Sequence, residues 1–399
     1  MKKVYVIGGG PSGIISAIYA SKKGYDVTVL ERNNSPLKKL LLTGNGKCNY
    51  YNDNQDISNY NSSSCNELDK IINETNIDKM LTFLDNIGIE PRIKNGYYYP
   101  YVNNSLCVKE ALLKEAQNCG VKIINNYLVN DIKKENDKFI INNELIGDIV
   151  ILSTGSKAYP NTGSDGVGYK LLNKFNLNIV KVLPSLVQLV GSDIFYKDIS
   201  GTRSEVSVSL YEDNKFIKEE SGEIQFTNYG ASGICIFNLS GIVNKGLDKN
   251  KKEEIYINFL PNYNDVNQFL EERSKLKNRN IIEMLESIIN YKLLRVILKR
   301  SKIDYDKYYN ELNDIEKNNL INNLTKFKIN ITGSKGYDNS QVCSGGLSID
   351  EININTMESL KIKNLYVVGE LLDVDGLCGG YNLTFAFISG IIAGSSCEE

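Results

Sequence analysis

Histidine is absent from this chain of 399 residues. Its absence rules out His-based triads and His-ligated metals, and it removes the usual general base at neutral pH. Any chemistry must run through a cofactor, carboxylates, lysines, tyrosines or thiols. An excess of either charge is missing too: 46 basic against 48 acidic side chains leave a formal net charge of −2, with a pI of about 5.7. That balance sets up no overall field to attract nucleic acid or an anionic membrane, and no run of like charge reads as a nucleic-acid arm or basic stripe. The expected partner is a small-molecule substrate, with no nucleic acid and no membrane. Nothing in the pattern selects an oligomeric state.

Long apolar runs are also lacking. Two lysines precede Val4–Ile7, but the run stops at Gly8, shorter than the roughly 7–15 residues of a signal core. No later stretch approaches the ~20 residues of a membrane span; Phe385 to Gly394 is about half that. A cytoplasmic protein is expected. The eight cysteines, at 48, 65, 107, 119, 235, 343, 378 and 397, include no CxxC pair, so neither a zinc ribbon nor a dithiol redox pair is indicated. Free thiols in a reducing compartment are expected.

The first strong feature is local. Val4–Ile7 reads as a buried strand that ends in Gly8-Gly9-Gly10-Pro11-Ser12-Gly13, a GxGxxG match through Gly8, Gly10 and Gly13. Ile14, Ile15, Ala17, Ile18 and Ala20 then follow helical spacing up to Gly24, and Asp26–Leu30 is a second strand closed by Glu31. Gly8 allows the tight turn, Gly10 lets backbone approach a pyrophosphate, and Gly13 lets helix and strand pack closely. Free N–H groups at the helix start face the phosphates. Glu31 can accept hydrogen bonds from ribose hydroxyls and would repel a 2′-phosphate, which points to FAD or NAD as the primary dinucleotide.

A helix dipole contributes only about 0.3–1 kcal/mol, whereas micromolar affinity needs about 8 kcal/mol. The remaining grip must be spread along the chain, and three further segments suit it. Pro36–Asn49 carries two lysines and a Thr43-Gly44-Asn45-Gly46 turn beside Lys47, apt for phosphate or ribityl oxygens. Asp148–Leu152 is a buried strand leading through Ser153 to Thr154-Gly155. Asn364–Val368 is another, ending in Gly369-Glu370 and followed by Asp373-Val374-Asp375-Gly376 and Gly379-Gly380-Tyr381-Asn382; Asn382 is read as the cap of a buried apolar helix.

With these blocks in this order, the sequence resembles the BaiN/YhiN-like NAD(P)/FAD-dependent oxidoreductases, a family that includes the aminoacetone oxidases. The shared stretches run almost end to end. They include Gly8–Gly13, Lys39–Asn49, Gly163–Gly168, Leu183–Leu186, Gly222–Thr227, Val342–Leu347, Thr356–Ser359 and Gly369–Asn382. Asn45 stands where the family usually has Gly, and the Trp common near Phe387 is missing. The resemblance implies bound FAD, with Cys343–Leu347 passing near the flavin ring. The expected cofactor contacts are Gly8, Gly10, Pro11, Ser12, Gly13, Glu31 and Arg32, then Lys39, Thr43, Gly44, Gly46, Lys47, Cys48 and Asn49. Val129, Thr154 and Gly155 follow, then Gly369, Glu370, Asp373, Gly380, Tyr381, Asn382 and Leu383.

The fold class is α/β: a discontinuous Rossmann-type FAD-binding domain, residues 1–187 and 335–399, with an inserted antiparallel β plus helical domain, residues 188–334. Alternation in Val206–Tyr211 and Gly222–Phe226 about an Asp213-Asn214 turn gives hairpins in a β-rich part, 188–260. Helical spacing from Ile281 to Ile297 marks a helical part, 261–325. The insert is expected to cover the flavin and form a substrate pocket. Asn-rich stretches such as Asn52–Asn66 read as solvated loops.

The activity expected is that of a flavoenzyme exchanging a hydride or electron pair with a small organic substrate. An NAD(P)H-dependent reductase is the leading form. With no second GxGxxG and acid, NAD(P)H would bind transiently as co-substrate. An oxidase of amines or aminoketones, a flavin-dependent RNA-modifying enzyme and a protein with purely structural FAD stay open. Tyr381, Cys343 and Lys47 are candidate catalytic side chains, Cys343 more readily a packing thiol and Lys47 a cofactor contact.

Overall fold

Val4–Ile7 is buried on both faces, as a strand inside a parallel sheet must be. In this computed structural model, which describes residues 1–63 and 67–397, it forms β1 (Lys3–Ile7) at the centre of the first of two units. That unit comprises Met1–Pro184 with Tyr337–Glu399; the second is Ser185–Gly336. Parallel to β1 run β2 (Asp26–Leu30), β3 (Lys122–Ile124), β4 (Ile149–Leu152) and β5 (Leu365–Val367), in the order β5-β4-β1-β2-β3. Two short strands, Glu358–Ser359 and Ile352–Asn353, extend the β5 edge antiparallel. The register puts Ile7 beside both Leu30 and Leu152, and Leu152 beside Val367. The residues after these four strands therefore emerge at one carboxyl edge.

Helix α1 (Pro11–Lys22) starts on Pro11, where a missing N–H costs nothing, and ends at Lys23 with Gly24 left-handed at φ 92. Helix α2 (Tyr381–Ser396) lies against it. It is apolar almost all round because it is buried almost all round. The two backbones touch: a Cβ at Gly390 would stand 2.5 Å from the Ser12 carbonyl oxygen, and one at Gly394 would overlap that of Ser16. No described helix is long and apolar enough to cross a membrane. The seven described cysteines form no disulfide, and Cys65 lies outside the described residues.

The second unit is built on a closed antiparallel barrel. Its strands run Leu189–Gly191, Gly230–Gly233, Lys215–Thr227, Arg203–Glu212, Glu253–Asn258 and Phe327–Ser334, closing back on the first. The 203–212 and 215–227 strands make the expected hairpin, with Asp213 and Asn214 left-handed in its turn (φ 48 and 68). Two features were not read from the sequence. Helix Ile234–Asp248 interrupts the β-rich part, burying Cys235, Ile236, Leu239, Ser240 and Val243. The barrel also closes with Phe327–Ser334, beyond the helices Val266–Arg273, Ile281–Leu285, Tyr291–Ser301 and Asp314–Thr325.

One barrel carboxyl is unusual. Glu253 is 2% exposed, and neither oxygen has a hydrogen-bond partner among the described residues. Burial, reinforced by Glu212 and Asp213, pushes it up to about 7 from 4.5. Only a missing side chain at Gly246 leaves room for it.

Two predictions follow from this packing. Gly390→Ala should lower urea stability by about 1–3 kcal/mol through overpacking; unchanged stability would show that the helices have room to part. A carboxyl whose folded value is raised contributes stability that is fully present below about 4.5 and is lost as pH rises through about 7. The melting temperature should therefore fall from pH 5 to pH 8, and Glu253→Gln should narrow that fall; an unaltered fall would refute the assignment.

Candidate functional site

The carboxyl edge of the first sheet gathers backbone from four strands. Gly8 donates to Leu30 O (2.9 Å), Ser153 to Ile7 O (2.9 Å) and Val368 to Leu152 O (3.0 Å). Each of the three motif glycines meets a different environment there. Gly8 is left-handed (φ 103), and a Cβ on it would lie 2.5 Å from Ser153 O. A Cβ on Gly13 would overlap Gly8 O and Ser153 Oγ. Gly10 has ordinary extended dihedrals (φ −73, ψ 177), and its Cβ would meet nothing nearer than Ser153 O at 3.8 Å. The first two glycines are needed by the protein's own packing. Gly10 is open.

Helices α1 and α2 both start from glycine, Gly10 and Gly380, with no side-chain cap among the described residues. Asn73, Asn104, Asn290 and Asn313 cap other helices with side-chain oxygens, whereas Ile234–Asp248, like α1 and α2, starts uncapped from a glycine, Gly233. The orphan N–H groups of α1 and α2 are open to a ligand. Asn382 does not cap α2 as the sequence suggested. Gly380 holds the cap position, and the Asn382 amide closes the preceding loop by accepting from Gly376 N (2.9 Å) and donating to Gly376 O (2.8 Å). Leu383, one residue on, is buried.

Glu31 is 6% exposed, and its oxygens accept from Gly9 N (2.8 Å) and from both Asn33 N and Nδ2 (2.7 Å each). Oε2 keeps a lone pair for a further donor. Arg32 pairs with Asp165 at 2.6 Å and donates to Gly163 O at 3.3 Å, so it is held by the 163–165 turn. Tyr127 N donates to Glu31 O, which brings the 127–129 stretch alongside, with Val129 buried.

The segment from Pro36 to Tyr51 connects the two helix starts. Leu37 N donates to Gly9 O (2.9 Å), beside α1. At the other end a Cβ on Gly380 would stand 2.8 Å from Tyr51 N, beside α2. Between them Lys39 pairs with Glu370 at 2.6 Å, and Ser156 Oγ donates to the same carboxylate at 3.1 Å. Gly44, Asn45 and Gly46 are all left-handed (φ 57, 55 and 82). Asn tolerates that region better than other non-glycine residues, which suits Asn45 to its place between Gly44 and Gly46.

Not every expected contact presents its side chain. Cys48 is fully buried, its thiol pushed up to about 12 by burial, and Cys343 is raised by the same cause. Both are packing thiols with little thiolate. The Asn49 amide donates to Tyr51 O and Tyr98 O (3.0 Å each). Thr43 Oγ1 donates to Leu40 O (2.7 Å). Lys47 is exposed, with no ion pair among the described residues. Thr154 lies against Gly8, and its Oγ1 is buried without a partner. Gly155 is left-handed (φ 71), and Gly369 approaches Ser12. Asp373, 1% exposed, accepts from Ser63 N (3.0 Å) through Oδ2, while Oδ1 is buried without a partner.

Sequence reading missed a wall of tyrosines. A Cβ on Gly379 would stand 2.8 Å from the Tyr97 ring and 3.2 Å from that of Tyr381. Tyr60 meets Tyr381 edge-on at 5.5 Å. The run Tyr97-Tyr98-Tyr99 was the available signal. The Asn52–Asn66 stretch is no simple solvated loop: Asn52 and Tyr60 are buried, and Tyr60–Asn61 pairs with Asp375–Gly376; residues 64–66 lie outside the described part. Burial, then Tyr97 and Asp56, pushes Tyr381 up to about 12.

Two uncapped helix starts, an open Gly10 and an acid after β2 fit an elongated dinucleotide. The known proteins agree. Residues 2–396 match the family model described as HI0933-like protein Rossmann domain, and the chain belongs to that family. It is 33% identical over 408 residues to the 3-dehydro-bile acid delta(4,6)-reductase of Clostridium scindens, spanning 100% of both chains. It is 25% identical over 390 residues to the ribosomal RNA dihydrouridine synthase of Escherichia coli, covering 96% of this chain and 95% of that one. In fold it is similar to a flavocytochrome c3 fumarate reductase, with a TM-score of 0.51, 14% identity and coverage of 99% of this chain and 78% of the other. The fold is the Rossmann-type FAD-binding fold, and the chain is an FAD-dependent oxidoreductase.

Gly10→Val should fill only ligand space. The purified variant should be colourless, with the melting temperature of flavin-free wild type; a yellow, fully occupied variant would remove the pyrophosphate from Gly10.

Proposed function

We propose that this member of the HI0933-like family is an NAD(P)H-dependent reductase that saturates a carbon–carbon double bond conjugated to a carbonyl. The observation that carries this reading is Tyr381, the first residue of α2. Its buried phenol stays protonated through neutral pH and packs edge-on against Tyr60, and the half-exposed Tyr97 ring offers flat surface to a cyclic substrate. The relatives support it through their chemistry. A delta(4,6)-reductase of a 3-dehydro bile acid and a dihydrouridine synthase each saturate a double bond in conjugation with a ring carbonyl.

Bound FAD supplies the hydride for such a reduction. The chain's own part is to bind, orient and protonate. The Gly8–Gly13 turn, Glu31, the Pro36–Tyr51 segment and the start of α2 hold the dinucleotide. The Tyr381 hydroxyl donates a hydrogen bond to the substrate carbonyl, which polarises the double bond. In a chain without histidine a phenol is well suited to this task. No second dinucleotide motif is present, so the nicotinamide visits the substrate's place and leaves before the substrate enters.

Anaerobic mixing with NADH and with NADPH tests this directly. Rapid bleaching of the flavin band by one of them is expected, followed by recovery on adding a cyclic enone. No bleaching, with peroxide formed from an amine, would assign an oxidase instead. Tyr381→Phe should leave bleaching intact and slow the recovery by about 10²-fold or more. Equal recovery rates in variant and wild type would remove the phenol from the chemistry.

A further inference from the structure

Tyr381 stands at the first position of α2, where helix ends fray, and the two residues before it, Gly379 and Gly380, are left-handed (φ 131 and 99). Two successive glycines would by themselves leave its ring loosely placed. Two side-chain amides hold the turn from opposite sides, both within the first unit. On one side the Asn382 amide closes the loop 376–382, accepting from Gly376 N at 2.9 Å and donating to Gly376 O at 2.8 Å. Gly376 is anchored in turn: Asp375–Gly376 pairs with Tyr60–Asn61, and Leu377 N donates to Asn59 O at 3.0 Å. A Cβ on Gly376 would stand 2.5 Å from that of Tyr381, so this loop packs directly on the tyrosine.

On the other side the Tyr60 ring meets Tyr381 edge-on, with 5.5 Å between centroids and 85° between planes. Its hydroxyl donates to Gln55 Oε1 at 2.6 Å, and Gln55 Nε2 donates to Asn52 O at 2.7 Å. Asn52 returns to the turn, since a Cβ on Gly379 would lie 3.3 Å from its Nδ2. Contacts therefore run in a closed circuit through Gly379, Asn52, Gln55, Tyr60 and Tyr381. Asn52 and Tyr60 are each 6% exposed, so water competes little for these bonds.

We propose that Asn382 and Gln55 are positioning residues for the Tyr381 phenol. Asn382 sets the backbone from which the phenol projects, and Gln55 sets the ring against which it packs. The assignment rests on the reductase reading above, in which that phenol meets the substrate carbonyl. A donor aimed at a reacting group has to be held within about 0.5 Å of its productive place. A misplacement of about 1 Å costs on the order of 10²-fold in rate. Both amides act through a neighbour, Asn382 through Gly376 and Gln55 through Tyr60, so neither has to touch the substrate.

The test is a double-mutant cycle on flavin-loaded protein. Each variant is reduced anaerobically with dithionite and mixed with cyclohexenone, and the return of the flavin band is timed per bound flavin. Partial loss of FAD then leaves the rates unaffected. Asn382→Ala and Gln55→Leu should each slow the return at least about tenfold. Combined with Tyr381→Phe, either should be no slower than Tyr381→Phe alone, because no phenol is left to place. Amides that merely stabilise the fold would instead multiply their losses onto that of Tyr381→Phe, and this result would overturn the assignment. So would wild-type rates in both single variants while Tyr381→Phe is slow. Should Asn382→Ala retain no FAD, Gln55→Leu and its double variant decide the question from outside the α2 loop. Failure of cyclohexenone to reoxidise wild type, or an unslowed Tyr381→Phe, would instead bring down the reductase reading and the assignment with it.

Discussion

The backbone contact between α1 and α2 is the constraint on which the site depends. Gly390 and Gly394 let the last helix lie against Ser12 and Ser16 of the first, so residues nearly four hundred positions apart share one packing surface. That contact sets the positions of both uncapped helix starts, Gly10 and Gly380. The Pro36–Tyr51 segment can run from Gly9 to Gly380 only because the two starts are held at a fixed separation. β5 enters the sheet beside β4 in the same C-terminal segment, which places Gly369 against Ser12 and Glu370 against Lys39.

What could be read from the sequence follows the range of each signal. Strand, glycine turn, helix and acid lie within thirty residues, so Gly8 through Glu31 was legible, including the tight turn at Gly8 and the close helix–strand packing at Gly13. The hairpin about Asp213-Asn214 was legible for the same reason. Pairings between distant segments were not. Lys39 and Glu370 were both singled out, but nothing in the sequence says that they bond to each other, or that Asn382 turns back to Gly376 and does not cap its helix. Tyr60 was passed over inside an Asn-rich stretch because its burial comes from Tyr381, more than three hundred residues away.

The absence of histidine shapes the chemistry left to the site. Thiols are poor substitutes here, since burial raises both Cys48 and Cys343 and neither is a nucleophile at neutral pH. Burial acts on Tyr381 in the same direction with a different result. A raised thiol is inert, whereas a raised phenol remains a reliable donor over the whole physiological range. An ordinary phenol, at 10, is already protonated there, so burial leaves its hydrogen bond available while making it a weaker acid.

Saturating a conjugated double bond asks little of the protein beyond holding one ring flat, one carbonyl hydrogen-bonded and water out. A steroid nucleus and a pyrimidine both meet that requirement, so the tyrosine wall by itself discriminates weakly between them. Discrimination must then come from parts of the substrate remote from the reacting atoms, whose binding energy is spent on orientation. A free polycycle brings only apolar surface. A nucleotide would bring charge as well, so the two classes would be told apart by charged side chains beyond the tyrosine wall.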